Sequence, residues 1–185
     1  MSTSPQPDSG ETDQHLIDAI NAGDRPAFDR LYHRYRDWAY RLAMRFCGDH
    51  HLALDVLQET FVYVAGKFPG FRLTSRFTTF LYPVVRHLSI AQRRKTSRMN
   101  PQAALPETVA ENRDAFEPAL EDLNQVLEAL PKTHREVLIL RFVDGLDLAE
   151  IAEAMQIPLG TVKSRLHNSL KTLRKDDRVK KYFDR

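Results

Sequence analysis

Apolar residues recur at three- and four-residue spacing along most of the chain, and few stretches alternate apolar and polar with period two. That pattern builds helices with one buried stripe rather than strands. The longest stripe is Phe28, Leu31, Tyr32, Tyr35, Trp38, Leu42 and Phe46. Asp24 as N-cap and Pro26 in the first turn start this helix, and Gly48 ends it. Asp49 caps the next helix, over about 50–67, which turns Leu52, Val56, Leu57, Phe61 and Val64 inward. A short helix over 15–21 precedes both. Pro69 and Gly70 in "KFPGFRLTSRF" break the pattern, and a further helix is expected over 75–95. Pro83 falls inside it, lacks a backbone donor, and is expected to kink or split it.

From 96 to 118 the periodicity fades, Pro101, Pro106 and Pro118 interrupt it, and acids dominate. This reads as a linker with a domain boundary near residue 100. Four short helices follow, over about 119–129, 132–143, 148–155 and 161–175. The expected fold is all-α. A disordered tail (1–13) leads into a helical domain (14–98), a flexible linker (99–118), a second helical domain (119–176) and a basic tail (177–185).

Composition fits a globular chain, with 42% hydrophobic and 28% charged residues. No run of about 18 apolar residues predicts a transmembrane helix. "MSTSPQPDSGETDQ" lacks the basic start and apolar core of a signal peptide, and one cysteine, Cys47, forms no internal disulfide. A cytoplasmic location is expected. The net charge is only +2, but its distribution is uneven. Arg86 to Arg98 holds five Lys/Arg and no acid, and Lys163 to Arg185 holds nine against three acids. Glu107 to Glu128 holds seven acids and one Arg. Two basic patches flanking an acidic segment suit a protein that grips a polyanion at two points.

"LAEIAEAMQIPLGTVKSRLHNSLKTLR" has the parts of a helix-turn-helix. Asp147 caps a short helix with Leu148, Ile151, Ala152 and Met155 on its apolar side. "QIPLG" forms the turn. Thr161 is the expected cap of the second helix, whose Val162, Leu166, Leu170 and Leu173 cluster within about 80° of a helical wheel. Ser164, Lys171, His167 and Asn168 centre on the opposite side, flanked by Lys163 and Arg174, with Arg165 on the other flank. An ordinary surface helix would mix both signs of charge. Thr161 to Lys175 contains no acid, which suits base edges and phosphates.

Other chemistry is set aside. Cys47, His50 and His51 match no common zinc spacing, so no metal is expected. No Gly-rich phosphate loop and no nucleophile paired with a base is present, so neither a cofactor nor an enzymatic activity is expected.

"LPKTHREVLILRFVDGLDLAEIAEAMQIPLGTVKSRLHNSLKTLR" closely resembles the C-terminal, promoter-reading domain of sigma-70 family factors, in particular the extracytoplasmic function (ECF) group. "AFDRLYHRYRDWAYRLAMRFCGDHHLALDVLQETFVYV" resembles that group's polymerase-binding and promoter-melting domain. Ala53, Asp55, Gln58, Glu59 and Phe61 stand in its A-x-D-x-x-Q-E-x-F pattern, and "FTTFLYPVVRHLSIAQRRK" resembles the melting segment. The order and the short linker also resemble the ECF layout.

The resemblance implies a non-enzymatic factor that binds core RNA polymerase and promoter DNA, and is held inactive by an anti-sigma factor. It implies polymerase binding through Asp55, Gln58, Glu59 and Phe61. It implies minus-ten contacts through Arg72, Arg76, Arg86, His87, Arg93 and Arg94. Minus-thirty-five contacts would come from Thr161, Lys163, Ser164, Arg165, His167, Asn168 and Lys171. Phe71, Phe77, Phe80 and Tyr82 lie near these cations and could stack on unpaired bases, although Phe77 and Phe80 also suit a core. Phe80, Pro83, Val85, His87 and Ala91 depart from common members, so the promoter preference is expected to differ. The competing reading is a stand-alone helix-turn-helix regulator, binding as a dimer to half-sites about one helical turn apart. Such a regulator has no use for the pattern around Asp55.

Overall fold

The computed structural model describes residues 11–99 and 127–176. Among these residues there are seven helices and no strand. They are α1 (Asp13–Asn21), α2 (Arg25–Cys47), α3 (His50–Ala65), α4 (Phe77–Met99), α5 (Lys132–Phe142), α6 (Leu148–Met155) and α7 (Leu159–Lys175). The all-α class is as expected. Two units separate along the chain, one holding α1–α4 and the other α5–α7. The linker from 100, most of the expected helix over 119–129 and the tail from 177 lie outside the described residues.

In the first unit α2 packs against α1, α3 and α4, and α3 packs on α4. Trp38, Leu42, Val56, Phe77, Leu81 and Tyr82 are buried between them. Local chemistry sets the helix ends. The Asp49 carboxylate accepts the Leu52 N–H at 2.9 Å and starts α3. Gly48 ends α2 in the left-handed region, φ 67°, which glycine adopts without a Cβ clash. Asp24 is the N-cap residue of α2, as expected, but its carboxylate makes no capping bond and turns to Arg30 at 3.4 Å.

One expectation is corrected here and another is narrowed. Residues 11–13, read as part of a disordered tail, are tied to α2. Thr12 Oγ1 accepts the His15 N–H at 3.2 Å and caps α1. Arg34 donates to Asp13 at 2.7 Å and to the Glu11 carbonyl at 2.9 Å, and the Tyr35 hydroxyl donates to the other Asp13 oxygen. Pro83, in turn, does not split α4, which is one helical element. A proline in a helix interior costs about 3 kcal/mol. Burying a large apolar side chain returns about 1.5–3 kcal/mol, and Leu81, Tyr82 and Val85 beside Pro83 are all fully buried.

In the second unit α7 packs on α5 and α6. Asp147 Oδ1 accepts the Ala149 and Glu150 N–H groups, each at 2.8 Å, and Glu150 reaches back to the Asp147 N–H at 2.7 Å. This capping box fixes the start of α6. Gln156 ends it at φ 56°. The second helix of the motif begins at Leu159, earlier than expected, so Thr161 is not its cap. Pro158 occupies that position, and the Thr161 N–H bonds the Pro158 carbonyl at 2.9 Å. Gly160, which reads as a breaker, lies in the first turn facing open space.

Candidate functional site

Three surfaces gather the residues singled out by the sequence. The first is the outward face of α3. Asp55, Gln58 and Glu59 are exposed there, and Val62 stands among them 73% exposed, with Leu54 and Tyr63 at the borders. The Gln92 side-chain amide of α4 donates to Glu59 at 2.6 Å and holds that carboxylate. Phe61 does not belong to this face. It is 5% exposed and meets the Tyr32 ring edge-on at 4.8 Å. Its role is to seat α3 on α2. Leu54, Val62 and Tyr63 escape the sequence reading. Their signal is available, because they fall off the inward spacing of Leu52, Val56, Phe61 and Val64.

The second surface is the segment between α3 and α4 together with the outer side of α4. Arg72 and Arg76 are exposed on the segment, and Arg86, His87 and Arg94 on α4. His87 and Arg94, seven apart, share one face, and Arg86 sits about a quarter turn away. Arg93 is placed differently from the expectation. It is half-buried and donates to the Phe46 carbonyl at 3.1 Å, at the last turn of α2. A cation there satisfies an otherwise unpaired helix carbonyl. Of the candidate stacking rings, Phe77 and Tyr82 are fully buried, so neither reaches the surface. Phe71 and Phe80 are half-buried, with ring centres 4.7 Å apart.

Cys47 is buried, and burial pushes its thiol up from its ordinary pKa. The imidazole of His50 shares a 2.8 Å hydrogen bond with the Tyr40 hydroxyl. Among the described residues no group of three or more His, Cys, Asp or Glu side chains is placed to hold a metal.

The third surface is α7. Lys163, Ser164, His167, Asn168 and Lys171 are exposed, while Thr161 and Arg165 are half-buried on the flanks. Val162 and Ser169 are fully buried, and Leu166, Leu170 and Leu173 are half-buried. Ser169 is missing from the expected stripe. Its hydroxyl donates to the Arg165 carbonyl at 2.7 Å, so a small polar side chain is satisfied at a fully buried position. The outward face thus carries cations and short polar groups on one rigid helix. No helix among the described residues is long and apolar enough to cross a membrane.

Comparison with known proteins matches both units. The family model "Sigma-70 region 2" matches residues 31–99, and "Sigma-70, region 4" matches 120–173. The ECF RNA polymerase sigma factor SigW of Bacillus subtilis is 30% identical over 178 residues, covering 86% of this chain and 93% of SigW. The RNA polymerase sigma-H factor of Pseudomonas aeruginosa is 31% identical over 183 residues, covering 89% and 93%. Among solved structures, CnrH in complex with the cytosolic domain of CnrY superimposes with a TM-score of 0.62 at 20% identity, over 86% of this chain and 93% of CnrH. The sigma factor RpoE of Bartonella quintana, in complex with the anti-sigma factor NepR, also gives 0.62, at 23% identity, over 80% and 94%. These two likenesses show the shared fold. With matches to both regions, in order, along nearly the whole length of its relatives, the chain belongs to the sigma-70 family as an ECF-type RNA polymerase sigma factor, which directs transcription initiation.

Proposed function

We propose that the three surfaces divide the work of initiation. The α3 face around Asp55, Gln58 and Glu59 docks on core RNA polymerase. Arg72, Arg76, Arg86, His87 and Arg94 hold the opened minus-ten strand, with Phe71 and Phe80 available for stacking. Lys163, Ser164, His167, Asn168 and Lys171 on α7 read the minus-thirty-five element, with Thr161 and Arg165 at its margins. The factor contributes no bond-making step of its own and acts in the cytoplasm beside the polymerase. A protein inhibitor of the anti-sigma kind, such as the one bound to RpoE, is the expected regulator.

The observation that carries this reading is Val62, 73% exposed among two carboxylates and an amide on α3. A lone exposed valine needs no partner, but Val62 shares this side of α3 with exposed Leu54 and Tyr63, and apolar residues grouped beside carboxylates suit a basic, partly apolar partner helix. A stand-alone regulator leaves this face without a task.

The test is a pull-down and run-off transcription assay with core polymerase, comparing wild type with the D55A/E59A double variant. Both side chains are exposed, so the fold is retained. Wild type should bind core and initiate, and the variant should bind at least roughly ten-fold more weakly. A wild-type protein that ignores polymerase yet binds duplex DNA as a dimer would return the reading to a stand-alone regulator.

A further inference from the structure

Asn21 is the last residue of α1 and reaches about 50 residues along the chain to the segment between α3 and α4. Its side-chain oxygen accepts the Gly70 N–H at 2.7 Å, and its side-chain nitrogen donates to the Phe71 carbonyl at 2.8 Å. One primary amide therefore satisfies two backbone groups of that segment at once. The turn it holds is a special one. Gly70 has φ +100°, while a Cβ there would meet nothing within 4 Å. The glycine is required for conformation, not for space.

Both ends of this clamp are fixed. On one side, Leu16 and Ile17 of α1 are fully buried, and Asp13 is bound by Arg34 and Tyr35. Backbone bonds from Gly23 to Ile20 and from Asp24 to Ala19 close the chain just after Asn21. On the other side, the Phe71 ring packs on Phe68 and Phe80 at 5.4 and 4.7 Å. With the Phe71 ring and carbonyl both held, the direction in which the chain leaves Phe71 is set. The next residue is the exposed Arg72.

We propose that Asn21 is a positioning residue for promoter recognition: its amide fixes the Gly70–Phe71 turn and thereby aims Arg72 at the opened strand. This rests on the reading that the 70–76 segment meets minus-ten DNA. The two bonds sit near the surface, so losing them costs the global fold little but frees the segment. Two net hydrogen bonds correspond to roughly a ten-fold change in the population of the aimed conformation.

Two measurements on the full chain test it. The first is initiation with core polymerase on templates carrying single-base changes through the minus-ten element. Asn21→Ala should flatten base discrimination roughly ten-fold at one or two adjacent positions, with core affinity unchanged. Asn21→Asp keeps the acceptor for Gly70 but sets an oxygen against the Phe71 carbonyl, and should do no better. Arg72→Ala should flatten the same positions, and adding Asn21→Ala to it should change nothing more. An even loss at every position, retained discrimination, or additive effects of the two substitutions would overturn the proposal. The second is amide exchange at Gly70 without polymerase. Protection in wild type that disappears in Asn21→Ala is expected, and an unprotected wild-type amide overturns the clamp. The second readout separates failure of the clamp from failure of the polymerase reading, which wild type alone reports.

Discussion

Substituting Asp13 by Ala tests whether α1 is a held part of the first unit. The Arg34 side chain is 9% exposed and that of Asp13 is 23%, and they meet at 2.7 Å. The other Asp13 oxygen accepts the hydroxyl of Tyr35, itself a core residue. Removing one partner of a fully buried ion pair costs about 3–5 kcal/mol, because the other charge stays buried and uncompensated. The partial exposure of Asp13 lets water replace some of what is lost, which brings the expected cost to about 2–3 kcal/mol. Leu16 and Ile17 remain buried and keep α1 docked most of the time. The loss should therefore appear as local opening rather than global unfolding. Amide exchange across α1 should accelerate by about 30- to 150-fold, the factor corresponding to that free energy. Arg34→Ala should accelerate the same amides, and the double variant should fall well short of the product of the two effects, because both remove one interaction. Exchange within about three-fold of wild type, or full additivity, would refute the reasoning and assign the hold on α1 to Leu16, Ile17 and the Asn21 bonds instead.

Two further outcomes follow from single side chains. Burial, and then the bond to Asp13, push the Tyr35 phenol above its ordinary value of 10.0. Folded Tyr35 keeps its proton where the unfolded chain loses it, so unfolding releases a proton above about pH 10 and stability falls as pH rises further. Urea midpoints of Tyr35→Phe should decline less steeply than those of wild type in that range, and identical slopes would contradict the assignment. Asp147→Ala removes two capping bonds of 2.8 Å from the eight-residue α6 and should cost about 1–2 kcal/mol. Calorimetry should show the transition of the second unit lowered by about 5–10 °C with the first unchanged, and a shift below about 2 °C would argue that α5 and α7 alone hold α6 in place.

Where the sequence speaks through neighbours, it is legible. Asp49, Gly48 and Asp147 mark helix ends within one turn, and the inward stripes of α2 and α3 follow from spacing alone. Phe61 shows two local signals in conflict. The A-x-D-x-x-Q-E-x-F pattern assigns it to the polymerase face, while its spacing from Val56, Leu57 and Val64 puts it inside, and the structure sides with spacing. The start of α7 is misplaced in the sequence because Pro158 and Gly160 read as turn residues. Yet the first turn of a helix leaves its N–H groups unpaired within the helix, so a proline before it costs nothing.

What stays hidden is long-range. Arg93 meets the Phe46 carbonyl 47 residues away, Glu59 meets Gln92 at 33, and Asn21 meets Gly70 at 49. No periodicity reports such pairs, because each depends on how helices cross rather than on where they begin. They also share a consequence. Arg93 and Gln92 are one residue apart on α4, yet Arg93 closes the end of α2 while Gln92 holds a carboxylate on the α3 face. The helix that carries the proposed minus-ten residues Arg86, His87 and Arg94 is thus bonded both to α2 and to α3, the helix with the proposed polymerase face. A substitution at Gln92 or Arg93 therefore acts through α2 and α3, and its effect on promoter opening need not involve any contact with DNA.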